Sequence, residues 1–279
     1  MARSQFDLTD VTMAHVSLGS VPAEAHTAAL DLAHSLRDVG VSTVDVGTLN
    51  DPAQFNLAHS LALTVRGVSI MAHSTMNRVE ITHVFEALKA CGRPRLGLRI
   101  PTAPEVVRGI RRITYTELIQ LAESYIVSSA RLGLEVDAVI EQAATTEPVF
   151  IARLARKAVD AGALGITLVE SGGLTQEAFA SLTRQVVRAV PGTRVGVRCA
   201  NYGGMGASLA YAALEQGAAE VGTVATEWRD DLPCPSLERL AALGLLAVSS
   251  QQVVRLASTA QALLSPADRA RTEAAAGDM

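Results

Sequence analysis

The strongest constraint on the fold is an alternation that runs along the whole chain. Eight short apolar runs rich in β-branched residues alternate with longer segments whose apolar residues follow the helical period. Buried strands that are each followed by a helix favour a parallel sheet, and eight such units favour its closure into a barrel. We therefore predict a (β/α)8 barrel, with an open doubly wound sheet as the alternative. The predicted strands lie at residues 6–12, 42–47, 67–73, 95–100, 135–141, 164–169, 193–199 and 219–225.

No segment rich in proline, glycine and serine interrupts the alternation, so we expect one domain over residues 1–279 with its barrel core at about 6–245. A helical segment should follow at 249–279, with helices at 249–264 and 266–275. The apolar residues of the first of these helices predict burial against the barrel or against a second subunit. We expect a homodimer or a larger homo-oligomer.

Several helix starts can be predicted from capping signals. The signals are two capping boxes and two prolines suited to a first turn, namely Asn77 with Glu80, Thr114 with Glu117, Pro22 and Pro148.

Composition excludes several classes of function. The net charge is −4 and the charges are interspersed, without the basic stripe that nucleic-acid binding needs. The apolar runs are shorter than the roughly 18 residues of a membrane span. The first residues lack the features of a secretory signal, so we expect a cytoplasmic protein with neither membrane nor nucleic-acid partners. Three cysteines without C-x-x-C spacing argue against a disulfide framework and a structural zinc.

Lysine is scarce, and this bears on the chemistry. Lys89 and Lys157 are the only lysines, and both fall in predicted helices outside the barrel mouth. Schiff-base catalysis needs a lysine inside the pocket, so it is disfavoured.

Charged and titratable residues end most of the predicted strands. In barrels of this class the active site lies at the C-terminal ends of the strands, so these residues predict a polar pocket. Alternatively, individual members cap helices or pair with one another. The set comprises Asp10, Asp45, His73, Arg99, Glu141, Glu170 and Arg198.

Local matches to a known superfamily follow in order along the chain. Residues 10–13 (Asp-Val-Thr-Met) resemble the opening of the signature Asp-x-Thr-Leu-Arg-Asp-Gly, and 41–47 resemble a second-strand pattern that ends Glu-Val-Gly. Residues 170–173 resemble a sixth-strand Asp-Thr/Ser-x-Gly, while 196–214 resemble a seventh-strand region that begins His-x-His. The length of 221–238 matches the eighth-strand segment. The chain thus resembles the DRE-TIM metallolyase-like superfamily of HMG-CoA lyase, isopropylmalate synthase and 4-hydroxy-2-oxovalerate aldolase.

This resemblance implies an aldolase-like or lyase-like enzyme that makes or breaks a carbon–carbon bond next to a carbonyl of a small oxo-acid or acyl substrate. It also implies a divalent cation held by the first-strand Asp, two seventh-strand His and, in some branches, an Asn after the eighth strand. Here only Asp10 remains, while Arg198, Ala200 and Cys234 stand at the other positions. All six histidines lie within the first 83 residues, so no shift of the alignment restores a downstream His-x-His. Because a guanidinium repels a hard cation, we expect no metal at the usual place.

The altered positions suggest specific roles. Arg198 would stand in for the cation and bind a substrate carboxylate or an enolate oxygen; alternatively it pairs with Asp10 or Glu170 and holds strands together. His15 would transfer the proton. The predicted catalytic residues are Asp10, His15, Glu170 and Arg198, with substrate bound by Asp45, His73, Arg99, Glu141, Asn201 and Cys234.

Other interpretations stay open at this point. Asp10, His15 and His73 could form a relocated site of two histidines and one carboxylate, which is a recognised metal arrangement. Cys234 is either a nucleophile or a small residue that fills the former ligand position. The chain could also catalyse a different reaction in the same barrel, or be a silent family member that acts as a partner subunit. Retention of polar residues at the rim favours an enzyme.

Overall fold

A closed barrel of eight parallel strands organises the molecule. The computed structural model describes residues 6–15, 23–228, 232–246 and 248–263. Each strand pairs with the next, and β8 pairs with β1. This confirms the predicted (β/α)8 barrel and shows the open sheet to be wrong. The strands are β1 (Asp7–Asp10), β2 (Thr43–Thr48), β3 (Ser69–Ser74), β4 (Pro94–Pro101), β5 (Glu135–Glu141), β6 (Gly165–Glu170), β7 (Arg194–Cys199) and β8 (Glu220–Thr223).

Helices follow the strands and surround the barrel. They are α1 (Ala23–Asp38), α2 (Pro52–Thr64), α3 (Arg78–Leu88), α4 (Tyr115–Arg131), α5 (Pro148–Asp160), α6 (Gln176–Ala189), α7 (Gly206–Glu215), α8 (Leu237–Ala242) and α9 (Ser250–Gln261). A π-helical turn at Glu105–Ile110 precedes α4. Among the described helices, none is long and apolar enough to cross a membrane.

The predicted helix starts have different outcomes. Thr114 and Glu117 form the reciprocal capping box, and Pro148 lies in the first turn of α5. The second predicted box is wrong. Asn77 does cap α3, but the Glu80 carboxylate accepts hydrogen bonds from Thr75 instead of returning to the cap. Pro22 lies outside the described residues.

The C-terminal helix α9 packs on this chain's own barrel. Its Leu256 and the following Leu263 are buried, and α9 lies against α1. Val254, in contrast, is 68% exposed. Burial against the barrel therefore explains Leu256 and Leu263 without a second subunit, and the homo-oligomer stays a prediction. The helix predicted at 266–275 lies outside the described residues.

Successive strand residues face opposite sides of the barrel wall. On β4, Leu96 and Leu98 join the apolar layer between strands and helices. Arg95 faces the barrel axis, because it contacts Thr43 of β2 and Glu220 of β8, neither of which belongs to a neighbouring strand. The two-residue period of a strand thus separates an apolar outer layer from a charged interior.

The lower half of the interior holds a closed group of four charged side chains, which we call the basal cluster: Arg95, Asp137, Arg194 and Glu220. Arg95 donates to both carboxylates, and Arg194 Nη2 lies 2.6 Å from Asp137 Oδ1. Arg194 Nε also lies 3.2 Å from Glu220 Oε2. Two positive and two negative charges therefore neutralise one another inside the barrel.

Candidate active site

A cavity of about 200 Å³ opens at the C-terminal ends of the strands. Five of the predicted site residues line it, namely His15, His73, Arg99, Glu141 and Arg198. The rest of its wall is small or mostly apolar and consists of Val11, Ala14, Gly47, Thr48, Val139, Val169 and Pro233.

Three side chains from three strands meet beneath this cavity, and we call them the mouth triad: Asp45 of β2, His73 of β3 and Arg198 of β7. One carboxylate oxygen is shared, because Asp45 Oδ2 lies 2.7 Å from His73 Nε2 and 2.6 Å from Arg198 Nη2. The other oxygen, Oδ1, accepts from the backbone N–H of Gly47 at 2.8 Å. Asp45 is fully buried, so these partners, rather than water, stabilise its negative charge.

The partners of Asp45 keep its carboxyl ionised. Burial alone would raise its pKa, but the adjacent His73 and Arg198, with hydrogen bonds from His73 and Gly47, hold the pKa well below the usual value. An ionised carboxylate can only accept hydrogen bonds. The His73 ring must therefore carry a proton on Nε2. In the neutral ring, Nδ1 is then an unprotonated base.

Arg198 presents unused donors to the cavity. Its Nη2 donates to Asp45 and, at 3.5 Å, contacts Met71 Sδ. Within the described part of the chain, Nε and Nη1 have no hydrogen-bond acceptor. Asp10 and Glu170 are the structural partners predicted for Arg198. That prediction is wrong, because Arg198 contacts the carboxylate of Asp45 instead.

A second ion pair lines the same cavity. Arg99 Nε donates to Glu141 Oε1 at 2.6 Å, and both side chains are partly exposed. A guanidinium and a carboxylate at the rim can each orient a polar substrate group.

Two other predicted site residues lie outside the cavity wall and have structural partners. Glu170 is buried and accepts from the backbone N–H groups of Gly172 and Leu174, so it stabilises the turn after β6. Asn201 is also buried; it accepts from the Gly206 N–H and donates to Glu227. Their positions give no support to the predicted contacts with substrate.

Asp10 is buried behind the cavity and is bonded within its own loop. Both of its oxygens accept from Thr12, one from the backbone N–H and one from the hydroxyl, each at 3.0 Å. Burial raises the pKa of Asp10 to about 7, and the neighbouring Asp45 adds to this, while the bonds from Thr12 oppose it. Both carboxylate oxygens of Asp10 are thus engaged by Thr12 within the loop.

The other positions also do not fit the cation that the resemblance implies. Arg198 brings a fixed positive charge. Burial raises the pKa of the Cys234 thiol to about 12, so it is not an activated nucleophile at neutral pH. Among the described residues, no three His, Cys, Asp or Glu side chains are grouped closely enough to hold a metal. Asp10, His15 and His73, proposed as a relocated metal site, therefore do not form such a group.

Glycines make room for the triad, and sequence reasoning missed them. A Cβ atom added at Gly97 would lie 2.6 Å from His73 Nδ1, and one at Gly222 would lie 2.9 Å from Arg198 Cγ. Each glycine lies on a strand next to the charged side chain that needs the space. An inward-facing glycine beside a strand that carries a charge is the signal that could have revealed them.

The lysines lie away from the cavity, as predicted. Lys89 follows α3 and pairs with Glu86, while Lys157 lies on α5, 3.8 Å from Glu123.

Comparison with known proteins gives the family. A family model described as HMGL-like matches residues 24–225. The chain belongs to the HMGL-like family. A 2-isopropylmalate synthase of Nitratidesulfovibrio vulgaris is 27% identical over 192 residues, which are 67% of this chain and 37% of that protein. The chain thus matches less than two fifths of this relative's length.

Solved structures share the fold of this HMGL-like chain at low identity. The hydroxymethylglutaryl-CoA lyase of Pseudomonas aeruginosa has a TM-score of 0.75 and 16% identity, with 98% of each chain covered. The carboxyl transferase domain of Rhizobium etli pyruvate carboxylase, solved with pyruvate, has a TM-score of 0.66 and 15% identity. That match covers 94% of this chain and 48% of the other.

Proposed function

We propose that this HMGL-like chain is an enzyme that makes or breaks a carbon–carbon bond next to the carbonyl of a small oxo-acid or acyl substrate, without the divalent cation of its superfamily. The names of its relatives, a synthase and a lyase, support this class of reaction. The observation that carries the proposal is the guanidinium of Arg198, which lines the cavity and has two nitrogen atoms without an acceptor among the described residues. The resemblance implies that this residue replaces a ligand His.

The chemistry requires a group that stabilises negative charge on oxygen. When a base removes a proton from the carbon next to a carbonyl, the C–H electron pair moves into a new C=C bond and the carbonyl becomes an enolate oxygen. Donors that already point at this oxygen in a site shielded from water stabilise the transition state by several kcal/mol. Nε and Nη1 of Arg198 are such donors, and the side chain is only 12% exposed.

The size of the cavity supports a small substrate. Its volume of about 200 Å³ is below the range of about 300–1,000 Å³ that is typical of sites for drug-sized ligands. Val139 and Val169 give it one apolar side. Arg99 and Arg198 can both bind anionic groups. A short oxo acid fits these features best.

Proton exchange tests the proposal without knowledge of the second substrate. The protein is incubated with pyruvate or a longer 2-oxo acid in D₂O that contains EDTA, and deuterium at the carbon next to the carbonyl is followed by NMR. We expect exchange in EDTA. Loss of one such donor typically lowers turnover about 100-fold or more, so Arg198→Met should approach that loss and Arg198→Lys should lose less.

The matched control is Arg93→Met, which removes an exposed guanidinium paired with Glu135 far from the cavity. Exchange that occurs only after Mg²⁺ or Mn²⁺ is added would contradict the metal-free mechanism. Absence of exchange with every oxo acid, with or without metal, would contradict the enolate chemistry and favour a silent partner subunit.

A further inference from the structure

We infer that His73 transfers the proton and that Asp45 links it to Arg198, so that an anion bound at Arg198 strengthens the hydrogen bond between Asp45 and His73. The catalytic part of this inference rests on the proposed function, while the link through Asp45 can be tested without turnover. His73 would be the catalytic residue and Asp45 a positioning residue.

His73 has the geometry of an oriented base. Its Nε2 is held by a buried carboxylate at 2.7 Å, which fixes both the tautomer and the ring plane. Its Nδ1 has no hydrogen-bond partner among the described residues. The ring packs against Gly97 on the neighbouring strand, where the missing Cβ leaves room for the ring, and His73 lines the cavity. A buried Asp that holds one imidazole nitrogen while the other faces the reacting group is a recurring arrangement for general-base catalysis.

His15, the residue that the sequence suggested for proton transfer, lies differently. It is exposed, whereas His73 is 6% exposed. Because His73 is shielded from water and held by Asp45 at 2.7 Å, it is the better candidate.

The shared oxygen creates the link. Arg198 Nη2 and His73 Nε2 both bond to Oδ2 of Asp45, so the two donors compete for the same negative charge. An anion that accepts from the unused donors Nε and Nη1 neutralises part of the guanidinium charge. Asp45 Oδ2 then becomes a stronger acceptor, and its hydrogen bond with His73 Nε2 strengthens.

Other charged and titratable groups around His73 leave this link in place. Arg99 on β4 and Glu141 on β5 line the cavity as a pair, and their charges largely cancel. His15 lines the opening after β1, and Asp10 lies behind Asp45 with its bonds directed to Thr12. Asp45 is the only carboxylate among the described residues that contacts His73.

The exchange assay tests the catalytic part. Removing a general base typically lowers turnover roughly 100-fold or more, so His73→Gln should lose at least that much exchange while still binding pyruvate, as measured by NMR titration. His83→Gln is the matched control, because His83 is exposed on α3 away from the cavity. A larger loss in His15→Gln than in His73→Gln would overturn the assignment.

The link is tested by the proton resonance of His73 Nε2–H at neutral pH, assigned through its loss in His73→Gln. In the wild type, pyruvate should move this resonance downfield, because the hydrogen bond to Asp45 strengthens. In Arg198→Met without ligand it should already lie downfield of the wild-type position, and pyruvate should no longer move it. Asp45→Asn should move it upfield.

Two results would overturn the link. One is a resonance at the same position in Arg198→Met and in the wild type. The other, decisive if Arg198→Met does not fold, is a wild-type resonance that stays in place in saturating pyruvate. If the resonance moves as expected while no oxo acid exchanges its protons, the link holds and the proposed function fails.

Discussion

The barrel interior contains two charged groups that differ in how completely their hydrogen bonds are used. In the basal cluster, Arg95 and Asp137 are at most 3% exposed, and each guanidinium contacts both carboxylates. In the mouth triad, Arg198 has two nitrogen atoms without acceptors and His73 has one free ring nitrogen among the described residues. A closed set of charges serves stability, whereas an open set can accept a ligand.

The largest expected effect comes from opening the basal cluster. Arg95→Met leaves Asp137 and Glu220 buried with only Arg194 to neutralise them. Breaking a buried pair in this way typically costs about 3–5 kcal/mol, so we expect a loss of that size in the free energy of unfolding, measured by urea denaturation. A variant as stable as the wild type would show that the cluster does not hold the barrel together.

Asp10 extends the comparison to a buried carboxyl that is near the mouth but contacts no cation in the described part of the chain. Its folded pKa of about 7 lies above the unfolded value of 3.8. Its contribution to stability is therefore fully present below about pH 4 and is lost as the pH rises through 7. Asp10→Asn removes this dependence, so above pH 7 the variant should gain up to roughly 4 kcal/mol relative to the wild type.

The measurement is the free energy of unfolding at several pH values between about 4 and 9. If the difference between Asp10→Asn and the wild type stays constant over that range, Asp10 is not protonated in the folded protein.

Two glycine substitutions test whether the mouth triad and the basal cluster differ in their effect on proton exchange. A Cβ at Gly97 would collide with His73, and one at Gly165 would collide with Asp137 and Arg194. Each should cost about 1–3 kcal/mol of stability by overpacking. Only Gly97→Ala should also lower the rate of proton exchange per folded molecule, because only this substitution displaces His73.

Gly92→Ala is the control for both, because a Cβ there has open space around it. Equal losses of exchange in Gly97→Ala and Gly165→Ala would mean that the two groups are not functionally distinct.

The smallest expected effect comes from an ion pair outside the barrel interior. Arg93 is 64% exposed and pairs with Glu135 at 2.9 Å. Exposed pairs contribute little, so Arg93→Met should change the free energy of unfolding by less than about 1 kcal/mol. If Arg93→Met lowers the free energy of unfolding by nearly as much as Arg95→Met does, the difference in burial does not explain the different importance of the two arginines.

The architecture and several of the charged residues around the cavity could be predicted from the sequence. The eight strands follow from short apolar runs rich in β-branched residues, and the helices follow from their helical period and capping signals, all of which are local in the chain. The polar residues at the strand ends follow from the rule that active sites of such barrels lie there. The absence of any histidine after residue 83 is likewise a fact of sequence.

Which of these side chains meet depends on the closure of the barrel. Arg198 and Asp45 are 153 residues apart in sequence and contact each other across the barrel axis. The packing of α9 on α1 also joins segments that are far apart in the chain. Glu170, in contrast, bonds to backbone N–H groups only two and four residues further on. A local pattern places a charge at a strand end, but the partner of that charge is set by barrel closure and by the space that glycines leave on other strands.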